Sequence, residues 1–139
     1  MSRILGIDYG ERRVGLALSD PMQILARPYI TLDRKDKGWM GRLMELIHDQ
    51  EVTKIVVGYP LNMKGVATAQ TKLVDLFIED LKGRVGVGVE TYDERLSSQA
   101  AIRSLHEQGV KTGHDKGAID MTAAAIFLQD YLDAHASTS

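Results

Sequence analysis

The stretch from Ile4 to Asp20 sets the tightest limits on what this chain can fold into. Ile4, Leu5 and Ile7 form a short apolar run that Asp8 interrupts. Tyr9, Gly10, Glu11, Arg12 and Arg13 follow, and then a second apolar run from Val14 to Leu18. Two β-prone runs around a short polar turn that contains a glycine predict a β-hairpin. Asp8 is the odd residue. Carboxylates are depleted in strands, and a buried one needs a partner or a cation. Gly10 is expected to take a positive φ and let the backbone come close to a ligand. A carboxylate at the end of a first strand, just before a glycine turn, suits a divalent cation. It equally suits ordinary Asp-x-Gly turn chemistry.

The remaining pattern alternates. Ile24 to Leu32 reads as a third strand, with Pro28 marking an edge or a bend. Trp39, Leu43, Leu46 and Ile47 recur at helical spacing, which predicts an amphipathic helix over 37–50. Ile55, Val56 and Val57 make a short buried strand over 54–58, expected to run parallel to the first. Residues 59–65 form a loop, and a helix over 67–82 follows, with Gly83 at its C-terminus. A fifth strand spans 85–92, where Gly86 and Gly88 are expected to permit close backbone approach. Ser97 or Ser98 can cap a helix to Gln108, a glycine-containing loop covers 109–117, and a last helix covers 118–134. Antiparallel strands followed by alternating strands and helices predict a mixed sheet covered by helices. At 139 residues the chain is expected to form one domain, 1–139, with a frayed tail over 136–139.

Composition narrows the chemistry. With no cysteine there are no disulfides and no thiolate ligands, so any metal ion must be bound by oxygen or imidazole. The formal net charge of −2 excludes a protein that coats nucleic acid through overall charge. No apolar run is long enough for a transmembrane helix and no signal-peptide pattern opens the chain, so a cytoplasmic protein is expected.

Three acidic positions stand where packing alone would not put them. Asp8 ends the first strand. Glu94 follows the fifth, with Asp93 as the alternative beside it. Asp120 opens an otherwise apolar helix. All three can converge at one sheet edge. Clustered carboxylates repel one another, and a hard cation, Mg²⁺ or Mn²⁺, removes that penalty. Such ions can activate a water and stabilise the leaving oxygen of a phosphodiester. Arg12, Arg13, Lys64, Arg95, Lys111 and Lys116 are the candidate phosphate contacts near the acids.

Four blocks along the chain then carry a resemblance. Gly6-Ile7-Asp8-Tyr9-Gly10 with Arg13-Val14-Gly15-Leu16-Ala17 and Ser19-Asp20 resembles the opening of the YqgF family of Holliday-junction-resolvase-like proteins. Val57-Gly58-Tyr59-Pro60-Leu61-Asn62-Met63 with Gly65, then Asp93-Glu94-Arg95-Leu96, then Ile119-Asp120 with Ala123-Ala124 and Leu128-Gln129 resemble its later blocks, in order. The resemblance implies a ribonuclease-H-like fold. It implies a metal-dependent endonuclease that helps process the 5′ end of precursor 16S ribosomal RNA in the bacterial cytoplasm. It places Asp8, Glu94 and Asp120 as catalytic and metal-binding acids. Two departures stand out. The loop before the last helix, Lys111 to Lys116, is poorer in lysine than the family pattern. Lys64 stands where that pattern often has an acid.

Three other readings compete. A resolvase of four-way DNA junctions would use the same chemistry, on branched DNA, as a symmetric homodimer. A non-catalytic RNA-binding ribosome-assembly factor would keep the acids for structure. A sugar-kinase or actin-like nucleotide binder shares the Asp-Tyr-Gly turn but needs two such domains, and this chain has length for one. No membrane partner is implied. Tyr9 is expected in the core or at its rim, and the four histidines show no metal-ligand spacing.

Overall fold

The computed structural model describes residues 2–62, 64–94 and 116–136, with side chains from Asp120 onward in the last span. The expected helix from Ser97 or Ser98 to Gln108, most of the glycine loop, Arg95, Lys111 and the last three residues lie outside the described residues.

Strands β1 (Arg3–Tyr9), β2 (Arg13–Ser19) and β3 (Ala26–Asp33) come first, followed by helix α1 (Trp39–Asp49) and β4 (Val52–Tyr59). Helix α2 (Ala69–Arg84), β5 (Gly88–Asp93) and helix α3 (Lys116–Ala136) complete the described chain. The sheet has five strands in the order β3-β2-β1-β4-β5. The first three are antiparallel neighbours, and β4 and β5 run parallel to β1. This is the mixed sheet that the sequence predicts. Pro28 lies on the edge strand β3, where the register slips between Leu16 and Ala17 of its neighbour. A bulge at a sheet edge is where a residue without an N–H is tolerated.

Strand periodicity sorts the residues of the sheet onto two faces. Leu5, Ile7, Val14, Leu16, Ile55 and Val57 pack with Leu43 and Ile47 of α1 and with Val74, Phe77 and Leu81 of α2. Ile4, Ala17 and Val56 face the other way and pack with Ala124, Phe127, Leu128 and Tyr131 of α3. Even-numbered positions of β1 therefore look toward α3, and Asp8 is one of them. Tyr9 looks the opposite way. Its ring stacks on Phe77 at 4.2 Å between centroids, and the Arg34 guanidinium covers it at 4.5 Å. It is the rim tyrosine that the sequence predicts.

Four local expectations need correction. Gly10 does not take a positive φ; it closes the hairpin turn, its N–H donating to the Arg13 carbonyl at 2.9 Å. A Cβ on Gly10 would stand 2.8 Å from that oxygen, so the glycine makes room for the turn. Gly83 does not end its helix, because α2 runs on to Arg84 and is capped at Val85. Gly86 lies before β5, and neither it nor Gly88 is approached: a Cβ on either would meet nothing within 4 Å.

Side chains fix the start of α2 and the loop after β4. Thr68 and Thr71 form a reciprocal capping box at the start of α2. The Thr71 hydroxyl also donates to the Pro60 carbonyl, which ties the loop after β4 to the helix. In that loop Asn62 Oδ1 accepts the N–H groups of Lys64 and Val66, both at 2.9 Å, and Gly65 turns the chain at φ 79°. Only a glycine adopts that conformation without strain.

Gly41 offers a check on the helix assignment. It is exposed on α1, and a Cβ there meets nothing within 4 Å. Gly41→Ala is expected to raise stability by about 0.5–1 kcal/mol, since it removes backbone freedom from the unfolded chain. Chemical denaturation reads it directly; a loss of stability would contradict a regular helix at this position.

Candidate active site

The C-terminal ends of β1, β4 and β5 lie along one edge of the sheet, because the three strands are parallel. In open sheets of this kind the crevice beyond the strand ends is where ligands bind. Asp8 stands near the end of β1, opposite Gly15 of β2. Glu90 and Tyr92 of β5 face α3: Tyr131 donates to Glu90 at 2.6 Å, and Tyr92 packs on the α3 cluster. Glu94 continues that side. It lies immediately past the end of β5, close to Asp8, whereas Asp93 pairs with Tyr59 as the last residue of the strand. The alternation of the strand thus favours Glu94 over Asp93 as the partner of Asp8.

Glu94 and Asp120 both act electrostatically on Asp8. Asp8 is partly exposed, yet its carboxyl is well desolvated. Burial pushes its pKa well above the ordinary carboxylate range, and the charges of Glu94 and Asp120 push it further. Asp8 and Glu94 share a hydrogen bond that raises the pKa of Asp8 and lowers that of Glu94. Glu94 is also raised, first by burial and then by the neighbouring Asp93, while the bond from Asp8 opposes the rise. Asp120 bonds elsewhere: its Oδ2 accepts from Arg13 Nε at 2.8 Å. Among the described residues no three acidic or histidine side chains are gathered closely enough to hold a metal ion.

Glycines set the depth of this site. α3 lies against β1, β2 and β3. A Cβ on Gly15 would stand 2.8 Å from the Met121 nitrogen and closer still to the Asp120 carbonyl. A Cβ on Gly58 would stand 2.6 Å from Glu94 Oε1 and 3.0 Å from the Phe127 ring. Any larger residue at these two positions displaces an acid. Sequence reasoning missed both roles, although a glycine inside an apolar strand is the signal for close approach.

The rim is basic. Arg12 is exposed in the hairpin turn, and Lys64 is exposed in the loop after β4. Arg34, also missed, fixes the turn: its Nη1 donates to the carbonyls of Gly10 at 3.0 Å and Glu11 at 2.6 Å. Arg13 is brought to the acids, but its Nε is engaged by Asp120. Lys116 is the first residue of α3, and its side chain lies outside the described residues, as do Arg95 and Lys111.

The donor set suits a hard divalent ion. Asp8 has two carboxylate neighbours, Glu94 and Asp120, with no sulfur and no imidazole among them, and a cation would relieve the repulsion between them. Asp8 and Glu94 would hold such an ion, and Asp120 would join them on leaving Arg13.

Comparison with known proteins gives the family and the fold. The RuvX family, described as Holliday junction resolvase, matches over residues 2–134. A protein of Ruminiclostridium cellulolyticum named "Putative pre-16S rRNA nuclease" is 41% identical over 133 residues, covering 94% of each chain. One of the same name from Chlorobaculum tepidum is 39% identical over 136 residues, covering 96% of this chain and 94% of its own. Among solved structures, T. thermophilus RuvC in complex with a Holliday junction substrate superimposes with a TM-score of 0.56 at 17% identity, covering 99% of this chain and 98% of its own. The fowlpox virus resolvase with Holliday junction DNA gives a TM-score of 0.53 at 10% identity, covering 96% of this chain and 98% of its own. At these identities the structural likeness is one of fold, and that fold is ribonuclease-H-like.

Proposed function

Since this chain belongs to the RuvX family, which also carries the name YqgF, we propose that it is a metal-dependent endonuclease that trims the 5′ end of precursor 16S ribosomal RNA in the cytoplasm. The observation that supports the reading is that Glu94 and Asp120 both lie within electrostatic reach of Asp8 at the end of β1. The names of the relatives support the choice of RNA. Asp8, Glu94 and Asp120 would hold Mg²⁺ or Mn²⁺, which supplies an activated water and charge stabilisation at the phosphodiester when bound. Asp8 and Glu94 orient each other through their shared hydrogen bond. The glycines at 15 and 58 keep the acids at the depth of the sheet. Arg12 and Lys64 receive the backbone phosphates on the rim.

The test is incubation of the protein with precursor 16S ribosomal RNA and, separately, with four-way DNA junctions, with and without Mn²⁺. Mn²⁺-dependent cleavage of the RNA alone is the expected result. Cleavage of the junction alone would transfer the protein to the resolvase reading. RNA binding without any cleavage would leave an assembly factor.

The rim has its own test. Lys64→Ala and Arg12→Ala are each expected to weaken RNA binding across sequences. Each should also lower the dependence of log affinity on log salt by about 1, because a lost phosphate contact releases fewer counterions. Filter binding at several salt concentrations measures both effects. An unchanged slope in both variants would remove these residues from the phosphate path.

A further inference from the structure

Arg13 and Asp120 lie 107 residues apart in sequence and meet at 2.8 Å. Each side chain retains about a quarter of its exposure, 29% for Arg13 and 25% for Asp120, so solvent and ligand reach both. We propose that Arg13 is a relay between substrate and cation: it holds Asp120 until a phosphodiester arrives, then moves to the phosphate and frees Asp120 for the metal. The inference rests on the nuclease reading above and adds to it a positioning residue that acts through Asp120.

Three observations support the exchange. First, among the described residues only Nε of the guanidinium is engaged; the two terminal nitrogens make no hydrogen bond. A guanidinium offers five N–H donors in a rigid fork that fits phosphate as well as carboxylate. Arg13 can therefore take a phosphate oxygen before it releases Asp120. Second, both ends of the pair are anchored. Arg13 is the first residue of β2, and Gly15, two residues on and on the same face, lies against the backbone of Asp120. Asp120 changes partner by side-chain rotation, without movement of α3. Third, Arg13 follows Arg12 directly, so the relay begins where the basic rim ends.

A relay of this kind makes nucleic acid and cation favour each other's binding. The coupling is reciprocal by thermodynamic necessity. If Arg13 were a bare strut between β2 and α3, its replacement would leave that coupling unchanged.

The experiment is a Mn²⁺ titration read by the electron paramagnetic resonance of the free ion. It is run with and without a phosphorothioate-linked RNA hairpin, which resists cleavage. In the parent protein the hairpin is expected to raise Mn²⁺ affinity by about tenfold, within the usual range of coupling between sites. Arg13→Met keeps the length of the side chain and removes the donors. This variant should bind Mn²⁺ several-fold more tightly than the parent without RNA, because Asp120 is already free. It should gain almost nothing from the hairpin and bind the hairpin more weakly. Arg13→Lys holds Asp120 with a single charge and no fork, so it should bind Mn²⁺ like the parent but with reduced coupling. This second variant carries the test if the first is poorly folded. The proposal is overturned if both variants keep the parental coupling, or if Arg13→Met binds Mn²⁺ more weakly than the parent. If the parent binds no Mn²⁺ under either condition, the metal site itself fails and the relay with it, an outcome distinct from intact binding without coupling.

Discussion

Asp8→Asn is expected to lower Mn²⁺-dependent cleavage by orders of magnitude while leaving the metal-free protein at least as stable as the parent. The amide keeps the shape of the side chain and can still donate to Glu94, but it cannot supply the charge that binds a cation. Among the described residues the charges that act on Asp8 are Glu94 and Asp120, both acidic, so its ionised form is disfavoured twice, by burial and by repulsion. The sign of the pH dependence follows. The folded pKa of Asp8 lies above its unfolded value, so stability from this group is greatest at low pH. It falls as pH rises from the ordinary carboxylate range through the folded value, by at most about 1.4 kcal/mol per pH unit for one proton. Asparagine has no proton to lose, so the variant should lack the share of that decline due to Asp8. The share due to Glu94 should remain, since its pKa is raised as well. Thermal melts without metal across this pH range, together with a cleavage assay, separate three cases. A turn-forming Asp8 predicts full activity in the variant. A buried ion pair predicts a loss of roughly 3–5 kcal/mol from the stranded partner. Either result would remove Asp8 from the metal site.

Gly15→Ala should be the most damaging single-methyl change in the site. The added Cβ would collide with the carbonyl of Asp120 and with the nitrogen of Met121, and neither can rotate away because both belong to the backbone of α3. The start of the helix must lift from β2. Overpacking of this kind costs about 3 kcal/mol. A displacement of about 1 Å at a reacting group can lower the rate about 100-fold. Gly86→Ala is the matched control, because its Cβ meets nothing within 4 Å. The control should melt and cleave like the parent. If Gly15→Ala does the same, α3 does not bear on β2 at this point, and the depth of the site has another origin.

The hairpin was legible because two period-2 apolar runs leave few alternatives, and Asp8 stood out because a carboxylate is costly in a strand. The parallel placement of β4 and the burial of α3 followed from apolar runs whose length and periodicity suit those roles. What could not be read was anything that depends on the distance between elements. The choice between Asp93 and Glu94 turns on which face of β5 each continues, and that needs the register of β5 against β4. The Arg13–Asp120 bond joins a strand to a helix across most of the chain. Gly58 looks like any glycine near a strand end until Glu94 and Phe127 are placed above it. The glycines misread in sequence share one cause. Composition shows that a Cβ is missing, but only the neighbours show whether its absence is used, as at Gly10, or idle, as at Gly86.

The division of the sheet into two faces has a consequence for how this protein tolerates change. Most of the large aliphatic side chains lie on the face of α1 and α2, remote from the acids. The face of α3 holds Gly6, Asp8, Gly15 and Gly58, positions chosen for what they leave open. Libraries aimed at thermal robustness should therefore be confined to Leu43, Ile47, Val74, Ile78 and their neighbours, where volume can be traded among side chains without reaching the strand ends. Libraries aimed at a new substrate belong on the hairpin turn and the loop after β4. Thr71 and Gln70 should be held fixed in both, because they tie the loop after β4 and the hairpin to α2.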